Sequence, residues 1–236
     1  MQASNELIDA IRSYWSIRLL QGDRQGANGD KDSGERRSVT GGQHMDAIVD
    51  LICQRLRDEG VPDACIYRSS AMELPGYYRP EKKWDLLVVR NSALACAVEL
   101  KSQAGPSFGN NFNNRVEEAI GNAQDLWTAF REGRFGLARA PWLGYLFLLE
   151  DCDQSSSPVK VSEPHFAVDP VFVDASYKQR YELLCKRLVL ERLYNGACFI
   201  TSTRDPENPT VTQPNPDLSF QRFVDHLIGH VKCFMA

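Results

Sequence analysis

The stretch WLGYLFLLE, residues 142–150, carries apolar side chains at almost every position and runs for only nine residues. That is far short of the roughly 18 residues a membrane span needs. It is also too evenly apolar for a helix with one wet face. It reads as a β-strand covered on both sides. A sheet with such a strand inside it needs helices above and below, so this one run points to an α/β architecture.

Helices that could supply the cover are legible elsewhere in the chain. Leu7, Ile8, Ile11, Trp15, Arg18 and Leu19 recur at helical spacing over residues 4–20. Met45, Ile48, Val49, Ile52 and Leu56 form a second stripe, which Gly60 stops. Phe112, Val116, Ala119, Ile120, Ala123, Trp127 and Phe130 predict a long third helix. Tyr177, Tyr181, Leu184, Leu188 and Leu193 mark a fourth, closed near Gly196, and residues 218–234 a last one. Further strands are expected at 64–68 and 197–201, with two more inside 84–103. Segment 21–42 is rich in Gly and charge; it reads as a loop, as do 69–83, 151–170 and the Pro- and Asn-rich 203–217. The expectation is one domain over 1–236, an α/β fold whose mixed central β-sheet of roughly five strands is flanked by helices on both faces. Its core spans about 43–202. An N-terminal helix and loop (1–42) and a C-terminal loop and helix (203–236) are attached to it.

No basic-then-apolar signal pattern opens the sequence, and a cytoplasmic protein is expected. The seven cysteines are scattered without a C-x-x-C pair, so they read as reduced packing residues rather than disulfides or a zinc site. A net charge of −4 does not advertise nucleic-acid binding. It does not forbid it either, because a cleft needs only a locally basic surface.

The chemistry concentrates in EKKWDLLVVRNSALACAVELKSQ, residues 81–103. Two apolar runs flank a turn-like Asn-Ser-Ala. If 91–93 is a three-residue hairpin loop, Arg90 faces Leu94, Val89 faces Ala95, Leu87 faces Ala97 and Asp85 faces Glu99. Lys101 lies on the same side as Glu99, since strand side chains alternate. That face is apolar through Val89, Leu87, Ala95 and Ala97 and turns polar only at one end. The other face (Trp84, Leu86, Val88, Leu94, Cys96, Val98 and Leu100) is apolar throughout. A solvated face would scatter its charges; this one gathers them. Two carboxylates held together at the end of a buried hairpin repel unless a cation joins them. Hard oxygen ligands of this kind suit Mg²⁺. The bare Glu-x-Lys spacing is also compatible with a structural salt bridge.

An aspartate, thirteen intervening residues and Glu-x-Lys on a β-hairpin, followed by a helix, resemble the PD-(D/E)xK nuclease core. More closely, WDLLVVRNSALACAVELKSQAGPSFGNNFNNRVEEAIGNAQDLW resembles the XhoI-type Type II restriction endonucleases. One departure is that Trp84, not proline, precedes Asp85. The resemblance implies a restriction-endonuclease-like core and Mg²⁺-dependent hydrolysis of palindromic double-stranded DNA, within CTCGAG, leaving 5′-phosphates. It further implies a homodimer, and a cognate DNA methyltransferase in the same system that is not expected to bind the enzyme directly. By the same resemblance Asp85 and Glu99 bind the metal, joined by the Leu100 carbonyl, and Lys101 is the catalytic lysine. Lys101 could orient or deprotonate the attacking water, or neutralise the phosphorane-like state.

Residues emerging directly after Lys101 are placed to meet DNA. Gln103, Asn113, Asn114 and Arg115 are candidate base readers, since Asn and Gln can pair with adenine and Arg with guanine. Asparagines can equally cap a helix starting near 111. Arg24, Lys31, Arg36 and Arg37 could grip phosphates from the first loop, Asp46 could add a further carboxylate, and His226 and His230 share the i, i+4 spacing of some zinc helices. A solvated aspartate and packed histidines are the plainer readings. Two rivals remain at this point: another nuclease of the same core, acting in repair or junction resolution, and a catalytically silent DNA-binding protein.

Overall fold

The apolar run at 142–150 is a strand, β6 (Trp142–Glu150), buried at every position. The computed structural model describes residues 3–27, 43–136 and 139–236. Its main sheet has six strands: β1 (Ile66–Tyr67), β4 (Leu86–Arg90), β5 (Ala93–Gln103), β6, β7 (Gly196–Ser202) and β8 (Val211–Thr212), in the order β1-β4-β5-β6-β7-β8. β5, β6 and β7 run parallel and the outer pairs are antiparallel. A separate two-stranded ribbon, β2 (Glu73–Pro75) and β3 (Glu81–Lys83), precedes β4. The expected α/β fold with a mixed sheet is therefore present.

Helices cover both faces. On one, α1 (Asn5–Ala27), α2 (Asp46–Asp58) and α5 (Phe220–Met235) pack Ile11, Trp15, Ile52 and Leu227 against Leu86, Val98, Leu146 and Ile200. On the other, α3 (Phe108–Arg131) and α4 (Tyr177–Leu190) pack Phe112, Ala123, Tyr181 and Leu188 against Leu87, Ala97, Tyr145, Phe147 and Phe199. Tyr181 stacks on Phe147 with ring centroids 4.0 Å apart. Stripping any of these large side chains to alanine would cost about 3–5 kcal/mol, because the close-packed interior cannot collapse around the void. Among the described residues, no helix is long and apolar enough to cross a membrane.

Several expectations are corrected in detail. α1 continues through 21–27, a segment read as loop, while Lys31, Arg36 and Arg37 lie outside the described residues. The ribbon β2–β3 and the edge strand β8 occupy segments read as irregular; each is two or three residues long, too short for a periodicity to register. α4 ends at Leu190, before the expected stop at Gly196. Gly196 instead opens β7, where an added Cβ would fall 2.6 Å from Trp142 Cζ2; the indole lies across this glycine. All seven cysteines are free, as expected.

The hairpin turn also differs. Asn91 and Ser92 both adopt positive φ (51° and 61°), as a two-residue type I′ turn requires. Arg90 consequently pairs with Ala93 and Val89 with Leu94, one residue out of the expected register. A bulge at Ala95 restores it: Val88 pairs with Cys96 and Leu87 with Ala97. On the turn side of the bulge the faces exchange, so Leu94 joins the Leu87 face and Ala95 the opposite one. Trp84 also packs with Leu87 rather than opposite it, because it lies ahead of β4 where the chain leaves the ribbon.

Candidate active site

Because the bulge absorbs the register error, the polar end of the hairpin is arranged as the alternation predicts. Glu99 is only 1% exposed, on a strand whose neighbouring residue in β6 is Tyr145. Lys101 Nζ lies 2.6 Å from Glu99 Oε1. Asp85 enters from the start of β4: its N–H donates to Val98 O at 3.2 Å, and its Oδ2 accepts from the Leu100 N–H at 2.7 Å. Asp85, Glu99 and Lys101 thus converge.

A second cation, not anticipated from sequence, completes the group. Lys82, from β3, places Nζ 2.5 Å from Glu99 Oε2, the oxygen Lys101 leaves unused. The same ammonium donates to Lys83 O at 3.0 Å and lies 4.3 Å from the centroid of the Trp84 ring. The only hint in the sequence was a lysine two places before Trp84, within a segment that has no strand periodicity.

The electrostatics follow from burial and these partners. Burial pushes the Asp85 carboxyl up to about 6, and the neighbouring Glu99 charge adds to the rise, while the Leu100 N–H and the two lysines oppose it. Burial acts on Glu99 in the same upward direction, yet Lys101 and Lys82 together outweigh it and hold its carboxyl below the usual range. Burial lowers the Lys101 ammonium, and the Glu99 charge more than compensates, so its pKa is raised.

The donor set fits a hard divalent cation. Asp85 and Glu99 offer carboxylate oxygens at one buried point. The N–H and C=O of a strand residue point toward the same edge. Since the Leu100 N–H is turned toward Asp85, its carbonyl is turned toward that side too. Mg²⁺ sites are typically built from one or two carboxylates with water and substrate oxygens completing the shell. Among the described residues, no cluster of three or more His, Cys, Asp or Glu offers a rival site.

The other candidates fall in different places. Asp46 is exposed at the first turn of α2, where burial and its neighbours Arg68 and Lys83 act on it. Gln103 is buried, its amide nitrogen donating to Ala104 O at 2.9 Å and Ser107 O at 3.1 Å, and so it shapes the loop that leads into α3. That helix starts at Phe108, so Asn113 and Asn114 are exposed residues of its second turn and cap nothing. Arg115 pairs one guanidinium nitrogen with Glu118, while its Nε is buried without a partner. Its charge is felt at Lys101 and at the Tyr145 and Tyr181 hydroxyls, acting to lower the pKa of each. His226 is exposed, its ring edge-on to Trp142, and His230 is half-buried against Phe234.

A buried carboxylate pair with lysine on a hairpin, backed by a parallel β5–β6–β7 sheet, is what known proteins can be compared against. The model of the family described as restriction endonuclease XhoI matches residues 24–212. The chain belongs to the XhoI restriction endonuclease family. Among curated relatives of this restriction endonuclease, the Type II restriction enzyme BstVI of Geobacillus stearothermophilus is 50% identical over 207 residues, covering 85% of this chain and 92% of its own. The Type II restriction enzyme XhoI of Xanthomonas vasicola is 49% identical over 185 residues, 77% of this chain and 73% of that one. The Type II restriction enzyme AbrI of Azospirillum brasilense is 45% identical over 159 residues, 67% of this chain and 71% of that one. No solved structure matches the chain significantly.

Proposed function

We propose that this restriction endonuclease hydrolyses phosphodiester bonds within CTCGAG on double-stranded DNA, leaving 5′-phosphates, with Asp85, Glu99 and Lys101 as its catalytic residues. The observation that carries the reading is the convergence of these three side chains at the buried end of one hairpin, in a chain of this family. Asp85, Glu99 and the Leu100 carbonyl would hold Mg²⁺. When bound, the ion supplies Lewis acidity to the phosphate and a more acidic water. Lys101 brings a cation to the edge of the same pocket, 2.6 Å from Glu99 Oε1, where it can meet the charge that grows on the phosphoryl oxygens. Arg115, a quarter exposed and felt electrostatically at Lys101, is the candidate for a phosphate oxygen next to the scissile one. Asn113 and Asn114, exposed on α3, remain the candidates for base edges.

A single catalytic centre per chain cuts one strand, so a palindrome is met by a two-fold homodimer. A cognate DNA methyltransferase would protect the host genome, and the enzyme would work in the cytoplasm.

The test is digestion of a plasmid of known sequence by the purified protein with Mg²⁺, the ends being mapped by sequencing. Cuts confined to CTCGAG with 5′-phosphate ends are expected. Cuts at other sequences would discard the site assignment. Cleavage confined to branched or damaged DNA would replace restriction with a repair activity.

A further inference from the structure

We propose that Lys82 occupies the cation position of the metal-free enzyme and that the divalent ion must displace it to bind. The inference rests on the metal-site reading of Asp85 and Glu99 and adds a residue that the reading does not contain.

Glu99 has both carboxylate oxygens taken, Oε1 by Lys101 at 2.6 Å and Oε2 by Lys82 at 2.5 Å. Each oxygen keeps a second lone pair, so what an incoming divalent ion meets at Glu99 is the charge of two ammonium groups. Charge decides that one lysine gives way. Asp85, Glu99, Lys82 and Lys101 are neutral as a group, which is why a carboxylate can lie 1% exposed beside another. A divalent ion added to an unchanged quartet would leave two excess positive charges in a poorly solvated pocket. With Lys82 withdrawn, the excess falls to a single charge. One phosphodiester then cancels it.

The two lysines also differ in how they are held. Lys101 projects from the central strand β5, where it pairs with Phe147 of β6 in the main sheet. Lys82 arrives from the short β2–β3 ribbon, outside that sheet. The ribbon's tip is fixed to α3: the Tyr77 and Tyr78 N–H groups donate to Asp125 Oδ1, each at 2.8 Å, and Arg79 Nε donates to Asp125 Oδ2 at 2.7 Å. The release is therefore a side-chain movement, not a lid opening. Trp84 offers a place to go, since Nζ already lies 4.3 Å from its ring centroid and can keep that contact after leaving Glu99. Lys82 thereby stabilises the fold in the absence of metal and sets the threshold for metal binding.

The test measures metal affinity without DNA, by titrating Mn²⁺ into the metal-free full chain with calorimetric or paramagnetic detection. Lys82→Met keeps the stem against Trp84 and removes the charge; it should bind Mn²⁺ at least about tenfold more tightly than wild type, the effect of removing one competing charge at close range. Lys82→Arg keeps the charge and should stay near wild type. In the wild-type protein, amine labelling read by mass spectrometry should show Lys82 becoming severalfold more reactive when Mn²⁺ is added. Unchanged or weaker Mn²⁺ binding by a folded Lys82→Met overturns the proposal, as does Lys82 staying equally protected with and without metal. If neither wild type, Lys82→Met nor Asp85→Asn binds Mn²⁺, alone or with CTCGAG DNA, the metal-site reading fails and takes this one with it. Metal binding by wild type that Asp85→Asn loses and Lys82→Met leaves unchanged removes the role of Lys82 alone.

Discussion

Asp85 Oδ2 accepts the Leu100 N–H at 2.7 Å, so the backbone that carries Glu99 also fixes the second carboxylate. The two acids are balanced differently. Asp85 is held by a peptide dipole and Glu99 by two ammonium groups. Asp85→Asn and Glu99→Gln should both abolish cleavage while leaving specific DNA binding intact. They should part company in stability. Asp85→Asn removes a repulsive charge that burial already disfavours, and should unfold at or slightly above the wild-type denaturant midpoint without metal. Glu99→Gln leaves two half-buried lysines with Asp85 as their remaining anion, which should cost at the low end of the ~3–5 kcal/mol typical of a broken buried pair. Urea unfolding of both variants, alongside gel shifts and cleavage assays, checks this. Equal stabilities would mean the lysines are not held by Glu99.

Lys101→Ala should lower kcat by about 10²–10³-fold, the loss typical when one preorganised charge-stabilising group is removed. Its fold should persist, since Lys82 still pairs with Glu99. Single-turnover cleavage at saturating Mg²⁺, with circular dichroism as the folding control, measures it. Turnover within tenfold of wild type would take Lys101 out of the mechanism.

The fold and the meeting of Asp85, Glu99 and Lys101 were legible because both rest on local alternation. β6 announced itself by unbroken apolarity, and Asp85, Glu99 and Lys101 by period two along a hairpin. The turn was misread, since type I′ geometry at Asn91-Ser92 needs two positive φ values and neither residue is glycine. The bulge at Ala95 compensates, and a compensated error leaves no trace in the pattern. Lys82 was missed for another reason. Its meeting with Glu99 depends on where the ribbon lies, and Asp125, 43 residues from Lys82 along the chain, decides that through the backbone of Tyr77 and Tyr78. Gln103 reads as a base contact in the sequence because Gln can pair with adenine and follows Lys101; its amide instead closes the loop on Ala104 and Ser107.

His44 gives the fold an acid limit. It is buried where α2 meets β5, with Nε2 3.3 Å from Ser102 Oγ and its ring edge-on to Tyr14. Burial, aided by Arg18, lowers its pKa to about 4. Between about 4 and the unfolded value near 6.5 the unfolded chain binds the proton and the folded one does not. Stability from this residue is therefore complete above pH 6.5 and is lost as pH falls toward 4, up to about 3 kcal/mol at 1.36 kcal/mol per unit. Asp85 acts oppositely: its raised pKa makes the folded state hold the proton more tightly, so its contribution falls as pH rises from the ordinary carboxylate value to about 6. The wild-type profile mixes the two. The difference between wild type and His44→Gln, followed by urea unfolding from pH 4.5 to 7.5 without metal, isolates the histidine. The variant should lose less stability on acidification; parallel profiles would show that His44 does not stay neutral in the fold.

Arg115 separates phosphate grip from base reading. As a sequence feature it could read a guanine from the segment after Lys101. Its guanidinium is instead near enough to Lys101 to oppose that residue's protonation, with Nε buried and unpartnered. On the proposed reading of Lys101, a charge felt there meets the backbone at the cut, not the base edges in the groove. Arg115→Ala should therefore weaken binding to the cognate palindrome and to every symmetrically altered site by the same factor, and flatten the slope of log K against log salt by about two, one for each subunit of the dimer. Asn113→Ala or Asn114→Ala should do the reverse, with little change in salt slope and selectivity relaxed at one symmetric pair of positions by about 1–3 kcal/mol. In a two-fold dimer each substitution occurs twice, so doubly altered sites report both halves at once. Fluorescence anisotropy on a panel of singly and symmetrically altered duplexes at four salt concentrations distinguishes the cases. Loss confined to one base-pair position for Arg115→Ala would return that arginine to the groove.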